Sequence, residues 1–258
     1  MVIVNERMVG CRQMAGNRDE FVMRMKEELC QIDLELTDRQ IDQFYQYYEN
    51  LIHWNTMINL TAITEMGEVV TKHFVDSLTL KRAVGDIERI SYSLIDVGTG
   101  AGFPGIPLKI AFPDLKITLL DSLNKRVKFL EELILSLELK GIKAVHGRAE
   151  DYARENVSRE TFDLCVSRAV ANISTLAEYC MPFVKTGCYF VAYKSGKIEE
   201  ELIAGKGAIK KLSGEIEDVL SFRLPNSDER SLVKIKKIAN INKKYPRRSG
   251  LPSREPLR

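Results

Sequence analysis

Two hydrophobic rhythms divide the chain. Up to about residue 84, apolar positions recur at spacings of three and four, the period of one helix face. Thr37 is placed to cap a helix through Ile41, Phe44, Tyr45, Tyr48, Leu51 and Ile52. A second helical stretch is expected after Thr64, through Val69, Val70, His73, Phe74, Ser77, Leu78 and Leu80. Residues 1–17 show no clear period, so 1–20 are expected to be an unstructured extension, with Met23 or Met25 as the biological start. Beyond Gly85 short apolar runs alternate with helical patterns. Strands are expected at Ser91–Val97, Leu115–Asp121, Ile142–His146, Phe162–Ser167 and Gly187–Tyr193, and helices most clearly at Lys125–Leu139 and Asn172–Val184. That alternation implies βαβ units and a parallel sheet covered on both faces. Two last strands, Ile216–Arg223 and Leu232–Ile238, flank a connection with Pro225, Asn226 and Ser227 that suits a hairpin. A parallel sheet ending in an antiparallel hairpin points to an α/β, Rossmann-like fold of the class I methyltransferase type. The expected units are the extension (1–20), a helical cap (21–84), the Rossmann-like core (85–240) and a C-terminal tail (241–258), joined in one globular body.

Composition adds exclusions. Of 258 residues, 45% are apolar and 29% charged, the balance of a soluble globular protein. No run nears the ~18 apolar residues of a membrane-spanning helix. Charge appears too early for a signal peptide. The five cysteines form no CxxC pair, so neither a disulfide framework nor a zinc site is expected, and a reducing, cytoplasmic setting is. Net charge is +2, yet Lys234–Arg258 holds nine bases and one acid. Such a stripe reads either as a polyanion contact through Lys243, Lys244, Arg247 and Arg248, or as a solvated terminus.

The sharpest local signal is Asp96-Val97-Gly98-Thr99-Gly100-Ala101-Gly102-Phe103-Pro104-Gly105, a buried strand running into a glycine-rich loop and then a helix. Glycines admit positive φ and let a ligand approach the backbone. Gly100, Gly102 and Gly105 satisfy the GxGxxG dinucleotide pattern, so a nicotinamide-dependent oxidoreductase is one reading. Asp96, two residues before Gly98, gives DxGxGxG instead, in which the acid can face the ammonium of S-adenosylmethionine. Asp121, at the end of the next strand, can accept hydrogen bonds from ribose hydroxyls of either cofactor. The acid before the first glycine and the terminal hairpin favour the methyl donor. A non-catalytic RNA-binding assembly factor that keeps the fold and binds through its tail also stays open.

The loop, Asp121–Arg126, Arg148-Ala149-Glu150, Ser167-Arg168-Ala169 and Tyr245–Gly250 closely resemble the RsmG (GidB) family, as do Trp54-Asn55, Asn59-Leu60-Thr61 and Lys72–Leu78. These matches run in order from about Asp38 to Leu257; residues 1–20 have no counterpart. The resemblance implies a bacterial enzyme that methylates N7 of a guanine in 16S ribosomal RNA with S-adenosylmethionine, with that RNA or the small ribosomal subunit as its partner; no metal and a monomer are expected. It implies that Gly98 and Phe103 line the cofactor pocket, that Ala149 and Glu150 flank the adenine, and that Arg168 belongs to the cofactor and target pocket.

Other candidates read as structural. His73 and His146 are not at metal-ligand spacing, and His73 with Asp76 lies on one helix face. Trp54 and Tyr45–Tyr48 read as cap core, with base stacking by one of them as the other reading, and Cys165 and Cys188 read as small buried hydrophobes. No catalytic acid–base pair stands out, which agrees with guanine N7: its lone pair is in plane and carries no proton. Arg168 is the positioning candidate, since strand tips at the carboxyl edge line the ligand crevice; its other reading is an ion pair that holds the tip of the fourth strand.

Overall fold

The structure, a computed structural model, describes the backbone of residues 3–168 and 171–258, and side chains of 17–168 and 171–258. The cap holds α1 (Ile3–Cys30), α2 (Asp38–Asn55) and, end to end, α3 (Met66–Val69), a π-helical segment (Val70–Val75), α4 (Asp76–Leu78) and α5 (Leu80–Ala83). The backbone of the expected extension thus continues into α1 as helix from Ile3, while the side chains of residues 1–16 lie outside the described ones. Thr37 caps α2 in a reciprocal capping box with Gln40, as its position suggests. The next helix is capped one residue later than Thr64, by the Glu65 carboxylate on the amides of Gly67 and Glu68.

The core follows as β1 (Ser93–Val97), α6 (Gly105–Ala111), β2 (Lys116–Asp121), α7 (Asn124–Ser136), β3 (Ile142–His146), α8 (Ala149–Tyr152), β4 (Phe162–Arg168), α9 (Ile173–Cys180), β5 (Val184–Ser195), α10 (Glu199–Lys211), β6 (Gly214–Arg223), β7 (Glu229–Lys237) and α11 (Leu251–Arg254). The seven strands lie in the order β3-β2-β1-β4-β5-β7-β6. Pairing is parallel from β3 to β5, and β7 is antiparallel to both β5 and β6, so the hairpin closes one edge. The helix expected over Asn172–Val184 stops at Cys180, and Met181–Phe183 follow as a 3-10 turn containing Pro182. Among the described residues, no helix is long and apolar enough to cross a membrane.

Side chains on each strand alternate between two apolar layers. Leu94, Leu164, Val166 and Val191 join the cap, with Phe21, Phe44, Tyr47 and Phe74, in one cluster. Ile95, Cys165, Phe190 and Ala192 join α9, α10 and Tyr245 of the C-terminal segment in the other. Both faces are buried, which is why the parallel strands read as continuous apolar runs. Strand order reverses between β1 and β4, and a sheet of this kind opens a crevice at the carboxyl ends of its strands there.

Candidate functional site

Four elements converge on that crevice. The loop after β1 contributes Gly98, Gly100 and Phe103, the end of β2 Asp121, the end of β4 Arg168, and the π-helical segment His73. Together they line a cleft of about 480 Å³ with Thr61 and Arg126. Its neighbour, about 230 Å³, shares Gly98, Asp121 and Ser122 and is also lined by Ala149, Glu150, Tyr179, Gly250 and Ser253. A third pocket, about 310 Å³, shares His73 and Arg168 with the first and adds Asp76, Lys194, Glu201 and Arg230. The residues expected around a cofactor from the loop to Arg168 thus lie around adjoining cavities, Asp96 excepted.

Asp96 sits beneath the loop instead. Its carboxylate is fully buried; Oδ2 accepts from Thr99 Oγ1 at 2.7 Å and from the Gly105 amide at 2.9 Å. A Cβ on residue 105 would come within 3.0 Å of that oxygen and 2.3 Å of Leu119, so only glycine lets the loop close here. Burial outweighs these hydrogen bonds and pushes the Asp96 carboxyl up to about 6. Oδ1 has no hydrogen-bond partner among the described residues. Through Oδ2, Asp96 braces the loop, and it is not among the residues that line either cavity.

Asp121 does face the cleft. Oδ2 accepts from the Gly100 amide at 2.9 Å and Oδ1 from the Leu123 amide at 2.8 Å, which fixes the carboxylate while each oxygen keeps further acceptor capacity. Gly100 has φ +62°, and a Cβ there would meet nothing within 4 Å, so the loop leaves open space on its cleft side.

Arg168 and His73 form the partition between the first and third cavities. One Arg168 nitrogen donates to Asp76 Oδ2 at 2.8 Å and to the Lys72 carbonyl at 3.1 Å. The guanidinium lies 5.0 Å from the centre of the Phe103 ring, on which His73 stacks at 4.4 Å. His73 Nε2 is 2.8 Å from Thr61 Oγ1. Burial, reinforced by the Arg168 charge, pulls the His73 pKa down to about 3, so the imidazole is neutral at physiological pH and offers no acid. His73, read as packed or solvated, turns out to be a packed site residue. Its π-helical segment has a wider turn than an α-helix, and such segments recur at functional sites.

Tyr47 was expected only as part of the cap core, in the run Tyr45–Tyr48, and not at the site. The α2 pattern singled out Tyr48, yet Tyr47 is the fully buried one, stacked on Phe103 at 5.2 Å with its hydroxyl donating to the Ala101 carbonyl at 2.5 Å. Its spacing from Phe44 and Leu51 fits the buried face, but the partner of its hydroxyl is in a loop 54 residues away. Trp54 packs on Phe129 as expected of cap core, and Cys165 is buried while Cys188 is half-buried.

Four of the nine bases of the basic stretch are paired inside the fold. Lys234 and Lys236 pair with Glu217, and the buried Lys237 pairs with Glu160. Arg247, expected to meet RNA, is locked on the buried Glu178. Lys243, Lys244 and Arg248 are exposed.

Comparison with known proteins agrees with this geometry. A family model described as GidB, rRNA small subunit methyltransferase G, matches residues 40–233. A ribosomal RNA small subunit methyltransferase G of Lachnoclostridium phytofermentans is 52% identical over 231 residues, covering 88% of this chain and 93% of that protein. The protein of the same name from Acetivibrio thermocellus is 51% identical over 223 residues, covering 86% and 90%. The crystal structure of a MtNAS mutant aligns with a TM-score of 0.53 at 13% identity, over 78% of this chain and 75% of that one, a likeness of fold alone. With half its relatives' residues retained over nearly their whole length, and with the site residues gathered at one crevice, the chain belongs to the GidB family of ribosomal RNA small subunit methyltransferases G.

Proposed function

We propose that the chain transfers a methyl group from S-adenosylmethionine to N7 of a guanine in 16S ribosomal RNA. The observation that carries this reading is the pair of cavities joined at Arg168 and His73, one built on the glycine loop and one lined by charged side chains. The residues present fit the cofactor. Open space beside Gly100 admits its backbone-hugging portion, the fixed Asp121 carboxylate can accept from two ribose hydroxyls, and Ala149 and Glu150 flank a recess for a base. Bound there, S-adenosylmethionine supplies a methyl group activated by its sulfonium. Asp96 acts through the loop it braces.

The charged cavity takes the target guanine. Its nucleophilic nitrogen needs no deprotonation, so the task of the protein is alignment at near-attack distance rather than proton transfer. A neutral His73 and an Arg168 already committed to Asp76 suit a rigid partition. Methylation leaves the base cationic, and the carboxylates of Asp76 and Glu201 in the same cavity offer compensation as charge develops. Exposed Lys243, Lys244 and Arg248 take phosphates of the RNA backbone; Arg247 has no such role. The family assignment removes the support for an oxidoreductase. Incubation with labelled S-adenosylmethionine and either deproteinised 16S RNA or small subunits tests the reading: label should appear as N7-methylguanine in at least one substrate, and label in neither overturns it.

A further inference from the structure

The C-terminal segment lies outside the family-matched residues 40–233, yet it reaches the cofactor cleft. Glu178 of α9 is 0% exposed, and Arg247 surrounds its carboxylate. The Arg247 amide donates to Oε1 at 2.8 Å, Nε lies 2.9 Å from Oε1, and a terminal guanidinium nitrogen donates to Oε2 at 2.7 Å. That same nitrogen also donates to the Glu255 carbonyl at 2.7 Å, which draws the end of the chain back over the anchor. Further contacts hold the segment against α9 and the turn after α8: Arg154 donates to the Pro246 carbonyl at 2.6 Å and Thr175 to the Pro252 carbonyl at 3.2 Å.

Two more bonds join the segment to the helix that flanks the recess. The Gly250 amide donates to Glu150 Oε1 at 2.8 Å, and Ser249 Oγ to Asp151 Oδ1 at 2.8 Å. Gly250 has φ +83°, and a Cβ there would meet nothing within 4 Å, so this residue leaves its side of the recess open. Gly250 and Ser253 are themselves lining residues of this cavity, together with Gly98, Asp121, Ala149 and Glu150.

Building on the reading of the cleft as an S-adenosylmethionine site, we propose that residues 247–253 are the outer wall of its adenine end. Arg247 is the positioning residue that anchors the wall. The Gly250 amide occupies one Glu150 oxygen and turns the carboxylate, leaving Oε2 to accept the exocyclic amino group of adenine. A stretch that looks by composition like an RNA tether is thereby part of the cofactor site.

The test measures binding, not turnover. Calorimetric titration of the full chain with S-adenosylhomocysteine is compared with Arg247→Ala, together with hydrogen–deuterium exchange of the unaltered chain with and without that ligand. Binding should weaken at least tenfold in Arg247→Ala, and amides of residues 248–254 should gain protection on ligand binding while the β6–β7 hairpin does not. If Arg247→Ala fails to fold, the exchange experiment on the unaltered chain decides alone. Ligand binding by the unaltered chain with no gain of protection at 248–254 overturns the wall and leaves the cofactor reading standing. No binding of S-adenosylhomocysteine by the unaltered chain overturns both.

Discussion

Two arginine–carboxylate pairs, one at each end of the cleft, use the same chemistry to different ends. Arg168 meets Asp76 at 2.8 Å and Arg247 meets Glu178 at 2.7 Å. Around Arg247, the guanidinium and the backbone amide are both spent on one carboxylate and a carbonyl, so the pair is purely an anchor. Arg168 keeps a face on Phe103, an edge on His73 and a place in two cavities. Asp76 is also approached by Arg230 at 3.3 Å, so its charge has a second partner, whereas Arg247 is the only ion-pair partner of Glu178 among the described residues. The lesson is that a buried ion pair marks function by what else its members can still touch, not by its strength.

The largest effect should therefore come from the anchor. Arg247→Ala strands a fully buried carboxylate and should lower unfolding free energy by about 3–5 kcal/mol, while Arg168→Ala, with Arg230 still beside Asp76, should cost about half as much. Methyl transfer should rank them the other way when normalised to folded, cofactor-bound protein, with Arg168→Ala the more impaired. Urea unfolding and single-turnover transfer on both variants check the inversion; equal stability losses would erase the comparison.

The partition end also carries a pH signature. The His73 pKa is depressed from 6.5 to about 3, so the folded state refuses a proton that the unfolded chain takes. Its contribution is present above pH 6.5 and is lost as pH falls toward 3. Asp96 works in the opposite sense: raised from 3.8 to about 6, it contributes below pH 3.8 and that contribution is lost as pH rises through 6. Between pH 4 and 6 the two trends oppose each other. Relative to the unaltered chain, His73→Asn should gain stability as pH falls through this window and Asp96→Asn should lose it, each by about 2 kcal/mol at most. Parallel stability–pH curves for all three proteins would remove both assignments.

A change of similar size, in ligand binding rather than stability, is expected at Asp121, which lines both cofactor cavities. Asp121→Ala should weaken S-adenosylmethionine by about 1–3 kcal/mol through lost hydrogen bonds to the ribose. RNA affinity without cofactor should stay constant, and a fall in RNA affinity with cofactor affinity intact would reassign the residue. Smallest of all is the exposed part of the tail. Lys243→Ala with Lys244→Ala should leave melting temperature and cofactor binding unchanged and make the salt dependence of RNA binding shallower by up to about two units, one per phosphate contact. An unchanged slope would exclude both lysines from the RNA contact.

Much of the core was legible. Strand ends at Val97, Asp121 and His146 coincide with their expected ends, because each apolar run stops abruptly at a glycine or polar residue where the backbone must turn. The glycine loop and Asp121 could be placed for the same reason: strand, loop, helix and next strand are contiguous. The direction of the Asp96 side chain was not legible, because it depends on which sheet face lies beneath α6. Tyr47 escaped as a site residue because helical spacing locates a buried face but not the polar partner waiting on it.

The tail shows the boundary between the two kinds of information most plainly. Sequence by itself determined how many bases stand there, that prolines keep the segment from forming a long helix, and that it follows the last strand. It could not determine which acids they would meet, since Glu178 lies 69 residues from Arg247 and Glu150 lies 100 from Gly250. Local pattern is a matter of periods and backbone preferences acting over a few residues. Whether a charge binds a ligand or an internal partner is decided only when α8 and α9 bring distant groups into contact, where a buried carboxylate left without its arginine costs about 3–5 kcal/mol.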